Sequence, residues 1–232
     1  MTTTFYNMPG IVAVLGWPYV LFAFLVGSIP FGLFVSRVFF KRDLRSSGSG
    51  NIGAANALRT LGRTAGLAVL LLDALKGIVA VEVAAWLLLR VPLAIPVAGG
   101  EYTIGYPGKA FDLMPIAGAA AVFGHCYTPW LRLRGGKGVA TFLGATFALA
   151  WPAGLAFVGI WLLIVLPTGL ASLGSIAGVV VAGLVLVATN HEYGASGLLY
   201  AFVCAFVVIV KHRENIGRLA AGNENRLQLL KR

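Results

Sequence analysis

Long apolar runs dominate the pattern along the chain, and charged residues fall almost entirely between them. With a window of about 19 residues, the apolar runs cover residues 11–34, 65–89, 113–130, 139–166, 170–189 and 194–210. About 20 apolar residues in a helix cross a hydrocarbon core of about 30 Å. The runs therefore predict membrane-spanning helices. The first run stays as a helix in this interpretation, because no basic stretch of the kind that opens a secretory signal precedes it.

The run 139–166 is too long for one crossing. As a single helix it would extend about 42 Å at about 1.5 Å per residue, against about 30 Å of hydrocarbon. Trp151-Pro152 predicts a break inside it. Each of the two resulting segments is short for a full span unless the bilayer thins or the segments meet partway.

Basic residues decide how often this run crosses, since short cytoplasmic loops are rich in Lys and Arg. Two crossings place the bases of 36–64, 132–138 and the tail from Lys211 on one side, and leave only Arg90 and Lys109 opposite. The fold class predicted is all-α: a polytopic integral membrane protein with seven transmembrane helices, N-terminus outside and C-terminus cytoplasmic. Residues 1–232 then form a single membrane domain with cytoplasmic segments 36–64, 124–141 and 211–232. The outer loop 90–111 has no assigned role.

Composition and charge narrow the class of protein further. Hydrophobic residues make up 59% of the chain and charged residues 11%, which excludes an ordinary soluble globule and a disordered chain. The net charge of +10 suits anionic headgroups or anionic substrates. Nucleic acid is not an expected partner, because no long basic stretch is interleaved with aromatics. Cys126 and Cys204 lie in apolar runs and are interpreted as packed hydrophobes, so neither a metal site nor a disulfide is predicted.

The first polar segment is rich in glycine and serine from Ser47 to Gly53. Glycines allow backbone N–H groups to turn inward around an anion, and the Ala-rich stretch after Gly53 can begin a helix whose N-terminus adds donors. On that helix Asn56, Arg59 and Arg63 share a face at spacings of three and four. The alternative is a flexible linker followed by a basic surface helix beside anionic lipid.

The second segment carries Arg134-Gly135-Gly136-Lys137-Gly138 immediately before a helix start. Three glycines with two cations describe a phosphate cradle, although not a Walker A loop, because Gly138 rather than Ser or Thr follows the lysine. A tight turn with snorkelling cations is the alternative. His125, at the end of the preceding helix, is interpreted as a partner in helix packing.

The third segment follows the last apolar run. If that helix continues, His212, Asn215 and Arg218 line one face; alternatively, Glu214 pairs with Arg218 and His212 is simply interfacial. Three anion-suited segments on one side of a charge-poor chain are not expected to be unrelated linkers, and the chemistry is expected to lie there.

Ionisable residues also occur within the second apolar run, where placing a charged side chain in a bilayer costs free energy. Asp73 and Lys76 are one turn apart near its cytoplasmic end, and a structural pair is the expectation. Glu82 lies closer to the midplane.

Taken together, residues 48–59, 124–141 and 212–224, with the early Gly-Ser-Ile-Pro-Phe-Gly of 27–32, resemble the motifs of the bacterial acylphosphate:glycerol-3-phosphate acyltransferases, the PlsY family, in the same order. The resemblance implies transfer of a fatty acyl group from acyl phosphate to the 1-position of glycerol 3-phosphate, which gives lysophosphatidic acid and phosphate in phospholipid synthesis. It implies glycerol 3-phosphate, acyl phosphate and membrane lipid as partners and no cofactor. The implied location is the bacterial inner membrane, with the active site facing the cytoplasm.

The resemblance also implies roles for individual residues. The catalytic set is Ser49, Arg59, His212 and Asn215. The expected phosphate ligands are Asn51, Asn56, Arg134, Gly135, Gly136, Lys137 and Gly138. Glu224 matches a residue with a structural role in the family, and the Asp73–Lys76 pair, inferred from its spacing, is expected to support the site as well. The base that deprotonates the attacking hydroxyl is either His212 or the substrate's own phosphate. Two positions depart from the family pattern: Arg134 stands where Lys is common, and Asn223 where Thr is expected.

Other function classes fit the sequence less well. An anion transporter should bind near the midplane, where only Glu82 is available. An acyltransferase that uses thioesters shows His, four residues and Asp, but Trp130, Ser196 and Gly217 occupy that position after the three histidines. An alcohol phosphotransferase needs clustered aspartates for metals, and those of this chain are scattered. A purely structural membrane protein leaves the glycine-cation loops unexplained.

Overall fold

The computed structural model describes residues 9–90, 93–97, 100–104 and 110–227, with side chains over 16–86 and 113–227. The helices within these ranges are α1 (Pro9–Ser28), α2 (Phe31–Phe40), α3 (Ala54–Leu61), α4 (Arg63–Arg90), α5 (Ala110–Cys126), α6 (Val139–Leu149), α7 (Trp151–Thr168), α8 (Ala171–Thr189), α9 (Gly194–Lys211) and α10 (Arg213–Ala220). Short 3₁₀ turns cover Leu44–Ser46, Pro129–Leu131 and His191–Tyr193. The last five residues of the predicted segment 211–232 lie outside the described part.

The outer surface of the helices is apolar, as expected of a protein in contact with lipid. Trp17, Leu163, Leu184 and Phe202 are each about two-thirds exposed. Among the described residues, four stretches are long and apolar enough to cross a membrane: Gly16–Phe40, Trp151–Thr168, Ala171–Thr189 and His191–Lys211. Helix α4 has 28 residues but carries several charges, α5 has 17 residues, and α6 has 11.

The break predicted in the run 139–166 is confirmed. Helix α6 ends at Leu149, Ala150 is extended (φ −155°, ψ 95°), and α7 begins at Trp151. Pro152 occupies the first turn of α7, where its missing N–H removes no helical hydrogen bond. Val139 at the start of α6 and Ala171 just after α7 line the same cavity. The two helices therefore leave one end of the molecule and return to it.

The first apolar run differs from the prediction of one helix through residue 34. Helix α1 ends at Ser28 and α2 begins at Phe31. Pro30 lies between them, and its ring prevents the preceding turn from continuing as regular helix.

The connection between α4 and α5 adds a short hairpin to the otherwise helical fold. Strands β1 (Leu93–Val97) and β2 (Gly100–Ile104) pair in antiparallel register, with Leu93 opposite Ile104 and Val97 opposite Gly100. β-branched residues are frequent in both segments, and they favour extended backbone over helix. The hairpin is confined to the connection between α4 and α5.

A buried core joins α5, α6 and α9. Phe142 and Tyr200 are fully buried, and their rings stack with centroids 5.5 Å apart. The Tyr200 hydroxyl lies 2.8 Å from the Thr146 hydroxyl. Val122 and Ala145 close the same core without exposed surface. Small side chains at such contacts allow helices to approach closely in a membrane.

Hydrogen bonds tie the second and third polar segments to one end of the helices. Thr128, after α5, donates its hydroxyl to the Ser28 carbonyl at 2.7 Å. The Lys211 ammonium donates to the Cys126 carbonyl at 2.7 Å. These contacts bring the ends of α1, α5 and α9 together. The second and third polar segments therefore lie at the same end of the helices.

Candidate active site

A cavity of about 320 Å³ lies where the three segments meet. Its polar lining includes Ser49, Asn51, Asn56, Arg59, Asp73, His125, Lys137, Ser172, Ser175, His212, Asn215 and Glu224. The opposite wall is apolar and comes from α4, α6 and α7, with Leu70, Leu143, Phe157, Val158, Trp161 and Leu162. One cavity therefore offers a charged end and a hydrocarbon-like end.

Asn56 holds the first segment in shape. Its amide nitrogen donates to the carbonyls of Leu44 (3.0 Å), Ser47 (3.0 Å) and Asn51 (2.8 Å), and its amide oxygen accepts the Ser49 N–H at 2.9 Å. The side chain is 2% exposed. Because both ends of the amide serve the loop itself, the structure gives Asn56 a scaffold role in place of the predicted phosphate contact.

Gly48 is required beside this asparagine. Its φ is +60°, and a Cβ atom there would lie 2.3 Å from the Asn56 amide oxygen. Any side chain would be both strained and sterically blocked. Asn51 completes the turn, because its side-chain oxygen accepts the Gly53 N–H at 2.8 Å.

The predicted common face of Asn56, Arg59 and Arg63 is not formed. Helix α3 ends at Leu61, Gly62 has φ +96°, and Arg63 opens α4. A glycine with positive φ redirects the chain here, so the helical spacing does not run through to Arg63. Arg59 remains in the cavity lining, and Arg63 does not.

The second segment folds back on the end of α5. Gly136 donates its N–H to the His125 carbonyl at 3.0 Å, and Gly135 donates to the Cys126 carbonyl at 3.2 Å. A Cβ at Gly136 would lie 2.0 Å from His125 Nε2. The glycine pair therefore allows the loop to lie directly against the histidine, and this contact carries Lys137 into the cavity.

Lys137 and Asn215 connect the second segment to the third. The Lys137 ammonium donates to the Asn215 side-chain oxygen. Burial lowers the pKa of Lys137 to about 8, and the neighbouring carboxylate of Glu224 opposes that shift. The side chain is therefore protonated below pH 8 and positioned as a cation in the cavity.

His212 is neutral at physiological pH in this structure. Burial, followed by the nearby charge of Lys137, lowers the pKa of His212 to about 4. Its Nδ1 lies 2.7 Å from the Val208 carbonyl, which can only accept, so Nδ1 carries the hydrogen. Nε2 is then left as a hydrogen-bond acceptor, which is the form a general base needs.

Glu224 is the hub of the third segment. One carboxylate oxygen accepts from the Asn215 amide (2.5 Å) and the Ser172 hydroxyl (3.2 Å), and the other accepts from Arg218 Nε (2.9 Å). Arg218 thus pairs with Glu224, and the alternative pairing with Glu214 is absent from the described contacts. The carboxylate joins α8 and α10, which agrees with the structural role implied for this residue.

Asp73 and Lys76 form the expected pair at the base of the cavity. Their charged atoms are 2.7 Å apart, and both side chains are 2% exposed. Lys76 also donates to the Ile29 carbonyl at 2.9 Å. His125 Nδ1 lies 3.5 Å from the Asp73 carboxylate. His125 was not among the predicted site residues, and its position before the glycine loop was the available signal.

Three helices point their N-termini at the cavity. Residues of the first turn of α3, α6 and α8 line it, and the residues preceding these helices are Gly53, Gly138 and Leu170, none of which caps the helix with a side chain. The first N–H groups of a helix lack internal partners and carry partial positive charge. These backbone donors add to Arg59 and Lys137 in favour of an anionic ligand.

Two predicted catalytic residues retain unused polar groups, and one predicted phosphate ligand lies elsewhere. The Ser49 hydroxyl and the Arg59 guanidinium form no hydrogen bond with another described residue, so both are available to a ligand. Arg134 is exposed and lines a separate cavity on the far side of the first loop, together with Gly135. The predicted phosphate contact of Arg134 therefore does not belong to the site around Lys137.

Comparison with known proteins places this geometry in a family. Residues 17–222 match the model of a family described as glycerol-3-phosphate acyltransferase. The chain is 44% identical to a glycerol-3-phosphate acyltransferase of Nitrobacter winogradskyi over 206 residues, covering 89% of this chain and 93% of the relative. The chain belongs to the glycerol-3-phosphate acyltransferase family. The corresponding protein of Dinoroseobacter shibae is 40% identical and covers 97% of both chains.

The acyltransferase family also supplies solved structures with this fold. A crystal structure of PlsY (YgiH), an integral membrane glycerol 3-phosphate acyltransferase in its glycerol 3-phosphate form, matches with a TM-score of 0.78. The two are 35% identical, and the match covers 93% of this chain and 97% of that chain. The lysophosphatidic acid form of PlsY matches with a TM-score of 0.75 at 34% identity. This acyltransferase family member is thus an integral membrane protein of helical fold.

Proposed function

We propose that this protein transfers a fatty acyl group from acyl phosphate to the 1-position of glycerol 3-phosphate, giving lysophosphatidic acid and phosphate. The observation that carries the proposal is the two-part cavity, with cations and helix N-termini at one end and an apolar wall at the other. Family membership supports it, since related structures were solved in glycerol 3-phosphate and lysophosphatidic acid forms. Acyl phosphate as the donor rests on the sequence resemblance and on the suitability of the site for a second phosphate.

The polar end binds the phosphates in this proposal. Arg59 forms bidentate hydrogen bonds to one phosphate, and the Ser49 hydroxyl donates to the same group. Lys137 contacts the phosphate of the other substrate with the N–H groups at Gly138 and the start of α6. Asn51 contributes from the first loop, beside Gly53. Asn215 orients Lys137 through the hydrogen bond that joins them.

His212 acts as the general base. Its neutral imidazole accepts the proton of the 1-hydroxyl as that oxygen attacks the acyl carbonyl, and the bond between carbonyl carbon and phosphate oxygen then breaks. Lys137 and the helix N-termini stabilise negative charge that develops on the reacting oxygens. Acyl phosphate is a mixed anhydride with a good leaving group, so the reaction needs no covalent enzyme intermediate and no cofactor.

The apolar wall receives the acyl chain. Leu143 on α6 and Phe157, Trp161 and Leu162 on α7 lie next to the polar end. Leu162 is partly open to the outside of the helices. The acyl chain enters the cavity from the bilayer between helices, while glycerol 3-phosphate enters from water. The reacting groups meet at the boundary between the two parts of the cavity.

The proposed topology has seven spans, with the N-terminus outside and the C-terminus in the cytoplasm. The return of α6 and α7 to the same end of the molecule supports two crossings of residues 139–166. The 15 bases of the polar segments then face the cytoplasm. In this view the chain is a single domain of the bacterial inner membrane, with its active site on the cytoplasmic side. Green fluorescent protein fused after residue 232 should fluoresce, and periplasmic alkaline phosphatase fused there should be inactive. The reverse result would refute the topology.

The reaction is tested with purified protein in detergent or lipid. Palmitoyl phosphate with glycerol 3-phosphate is the first substrate pair, and palmitoyl-coenzyme A replaces palmitoyl phosphate in a parallel reaction. Lysophosphatidic acid and released phosphate are measured together. We expect both products only with palmitoyl phosphate, and their loss in Arg59→Ala.

Arg42→Ala is the matched control, since Arg42 is an exposed arginine of the same segment that lies outside the cavity lining. Product from the thioester alone would refute the donor assignment. No product from folded protein with either donor would refute the enzyme activity and favour an anion transporter.

A further inference from the structure

A second cavity of about 860 Å³ lies on the other side of the first loop. Asp43 and Arg45 line it from the turn after α2, and Trp130, Arg132 and Arg134 line it from the turn after α5. Arg59, Lys137 and His212, to which acyl transfer is assigned, do not line this cavity, and Asn51 lines both cavities. Its volume falls within the usual range of ligand sites, about 300–1,000 Å³.

The charges around this cavity favour an anion. Three arginines line it against one aspartate. Asp43 is already neutralised, because Arg37 and Arg45 each approach its carboxylate to 2.7 Å and hold its pKa well below the ordinary range. Arg132 and Arg134 form no ion pair or hydrogen bond from their side chains with another described residue. Their positive charges are therefore available to a ligand.

The turn that carries the two arginines is held in an unusual conformation. Arg132 (φ 52°) and Leu133 (φ 63°) are consecutive non-glycine residues in the left-handed region. Such residues are uncommon and persist only where the surroundings enforce them. Here the Leu133 N–H donates to the Thr128 carbonyl at 3.0 Å, and the Arg134 N–H donates to the Leu131 carbonyl at 3.0 Å. The turn thus fixes the backbone of both arginines before a ligand arrives.

The rim of the cavity has the character of a membrane interface. Trp130 is 62% exposed, and its indole N–H donates to the Ser28 hydroxyl at 2.8 Å. Leu133 is 58% exposed between the two arginines. Exposed Trp beside Arg is typical of the headgroup level, where the ring contacts acyl chains and the cations contact phosphates.

We propose that this second cavity binds the phosphate group of an anionic membrane phospholipid through Arg132 and Arg134. Guanidinium groups form bidentate hydrogen bonds with phosphate, and Leu133 and Trp130 contact the upper part of the lipid chains. Soluble phosphate has the same anionic chemistry, but it would leave the exposed apolar rim without a partner. The proposal does not rest on acyl transfer, since none of the proposed catalytic residues takes part.

A lipid at this position would stabilise the fold. Asn51 lines both cavities, and Gly135 belongs to the loop that carries Lys137. A ligand that contacts both loops binds the folded state and not the unfolded chain, so the unfolding temperature rises with its concentration. Thermal unfolding is therefore a direct readout that needs no catalytic activity.

The test is a titration of purified protein in a neutral maltoside detergent, with the unfolding temperature as readout. The three titrants are dioctanoyl phosphatidylglycerol, dioctanoyl phosphatidylcholine and inorganic phosphate. We expect a saturable rise with phosphatidylglycerol alone in the wild-type protein. In Arg132→Gln/Arg134→Gln, the half-saturating concentration should rise about tenfold or more, because charge-assisted hydrogen bonds are lost.

Lys41→Gln/Arg42→Gln is the matched control, because it removes two exposed cations from the same face outside the cavity lining. It should titrate as the wild type does. Equal weakening in both double variants would refute a specific site, and so would a wild-type protein that phosphatidylglycerol does not stabilise. An effect of inorganic phosphate that depends on Arg132 and Arg134 and equals that of the lipid would overturn the lipid assignment.

A second variant keeps the test valid if the double arginine variant does not fold. Ser46→Glu adds a carboxylate to the lining without altering the strained turn. It should also raise the half-saturating concentration of phosphatidylglycerol. An unchanged titration in Ser46→Glu would contradict the proposal.

Discussion

Removal of the Glu224 carboxylate tests how the third segment supports the site. Glu224→Ala takes away the acceptor of the Asn215 amide and the Ser172 hydroxyl, which are 5% and 6% exposed as residues. Each buried donor left without a partner costs about 1–3 kcal/mol. The ion pair with Arg218 contributes less, because that side chain is 31% exposed and solvent screens it. We expect a loss of about 3 kcal/mol in the free energy of unfolding, mainly from the two buried donors.

The same substitution should reduce catalysis. Asn215 accepts from Lys137, so an Asn215 side chain released by Glu224→Ala no longer fixes the ammonium. Misplacement of a catalytic group by about 1 Å costs about 100-fold in rate, and we expect a fall in kcat/KM of that order. Thermal unfolding and initial rates with palmitoyl phosphate measure the two effects on the same preparation.

Glu214→Ala is the control for this prediction, since Glu214 is an exposed carboxylate on α10, the helix that carries Asn215 and Arg218. It should leave stability and rate near wild-type values. The stability and rate of Glu224→Gln should lie between those of Glu224→Ala and Glu214→Ala. An amide retains one hydrogen-bond acceptor but places a donor toward Arg218. If Glu224→Ala behaves like Glu214→Ala in both measurements, the hub assignment is wrong.

Three further predictions concern the loops and the apolar wall. The kcat/KM should fall as the pH rises through about 8, where Lys137 loses its proton. In Lys137→Arg this fall should occur at higher pH. If the pH of the fall is unchanged in that variant, Lys137 is not the group that titrates. Gly136→Ala should inactivate the enzyme and lower the unfolding temperature, because the new Cβ meets His125, whereas Gly217→Ala has open space and should do neither. Trp161→Ala enlarges the space beside the apolar wall, so the rate with stearoyl phosphate should rise relative to the rate with lauroyl phosphate. An unchanged ratio of the two rates in a competition assay would show that Trp161 does not contact the acyl chain.

The helical membrane-protein fold and the grouping of several site residues could be predicted from local sequence patterns. Proline fixes backbone geometry wherever it occurs, so Trp151-Pro152 was sufficient to locate the break between α6 and α7. Glycines beside cations identified the loop that carries Lys137. His212 and Asn215 were correctly grouped by their spacing, since a spacing of three keeps them on one side of the chain even though α9 ends at Lys211.

Contacts across the chain were beyond such patterns. Asn56 and Arg134 are residue types that often bind phosphate. The side-chain amide of Asn56, however, donates hydrogen bonds to backbone carbonyls up to 12 residues away. The position of Arg134 was predicted wrongly because Arg132 and Leu133 form a turn with positive φ angles that redirects the chain. Neither residue type indicates a positive φ in the sequence. His125 became a site residue only when Gly136 folded against it. These outcomes depend on tertiary hydrogen bonds and not on local propensity.

The charge arrangement of the cavity also bears on where the transferred proton goes. Two phosphate groups are present before and after the proposed reaction, so Arg59, Lys137 and the helix N-termini remain paired throughout and need not move. His212 is different, because burial and the nearby ammonium of Lys137 disfavour its protonated form. A proton taken from the 1-hydroxyl by Nε2 is therefore held only briefly. The departing phosphate has a pKa near neutrality and is the strongest base within reach once the acyl bond breaks. His212 thus acts as a relay from hydroxyl to leaving group, and its low pKa favours the release of the proton that completes the cycle.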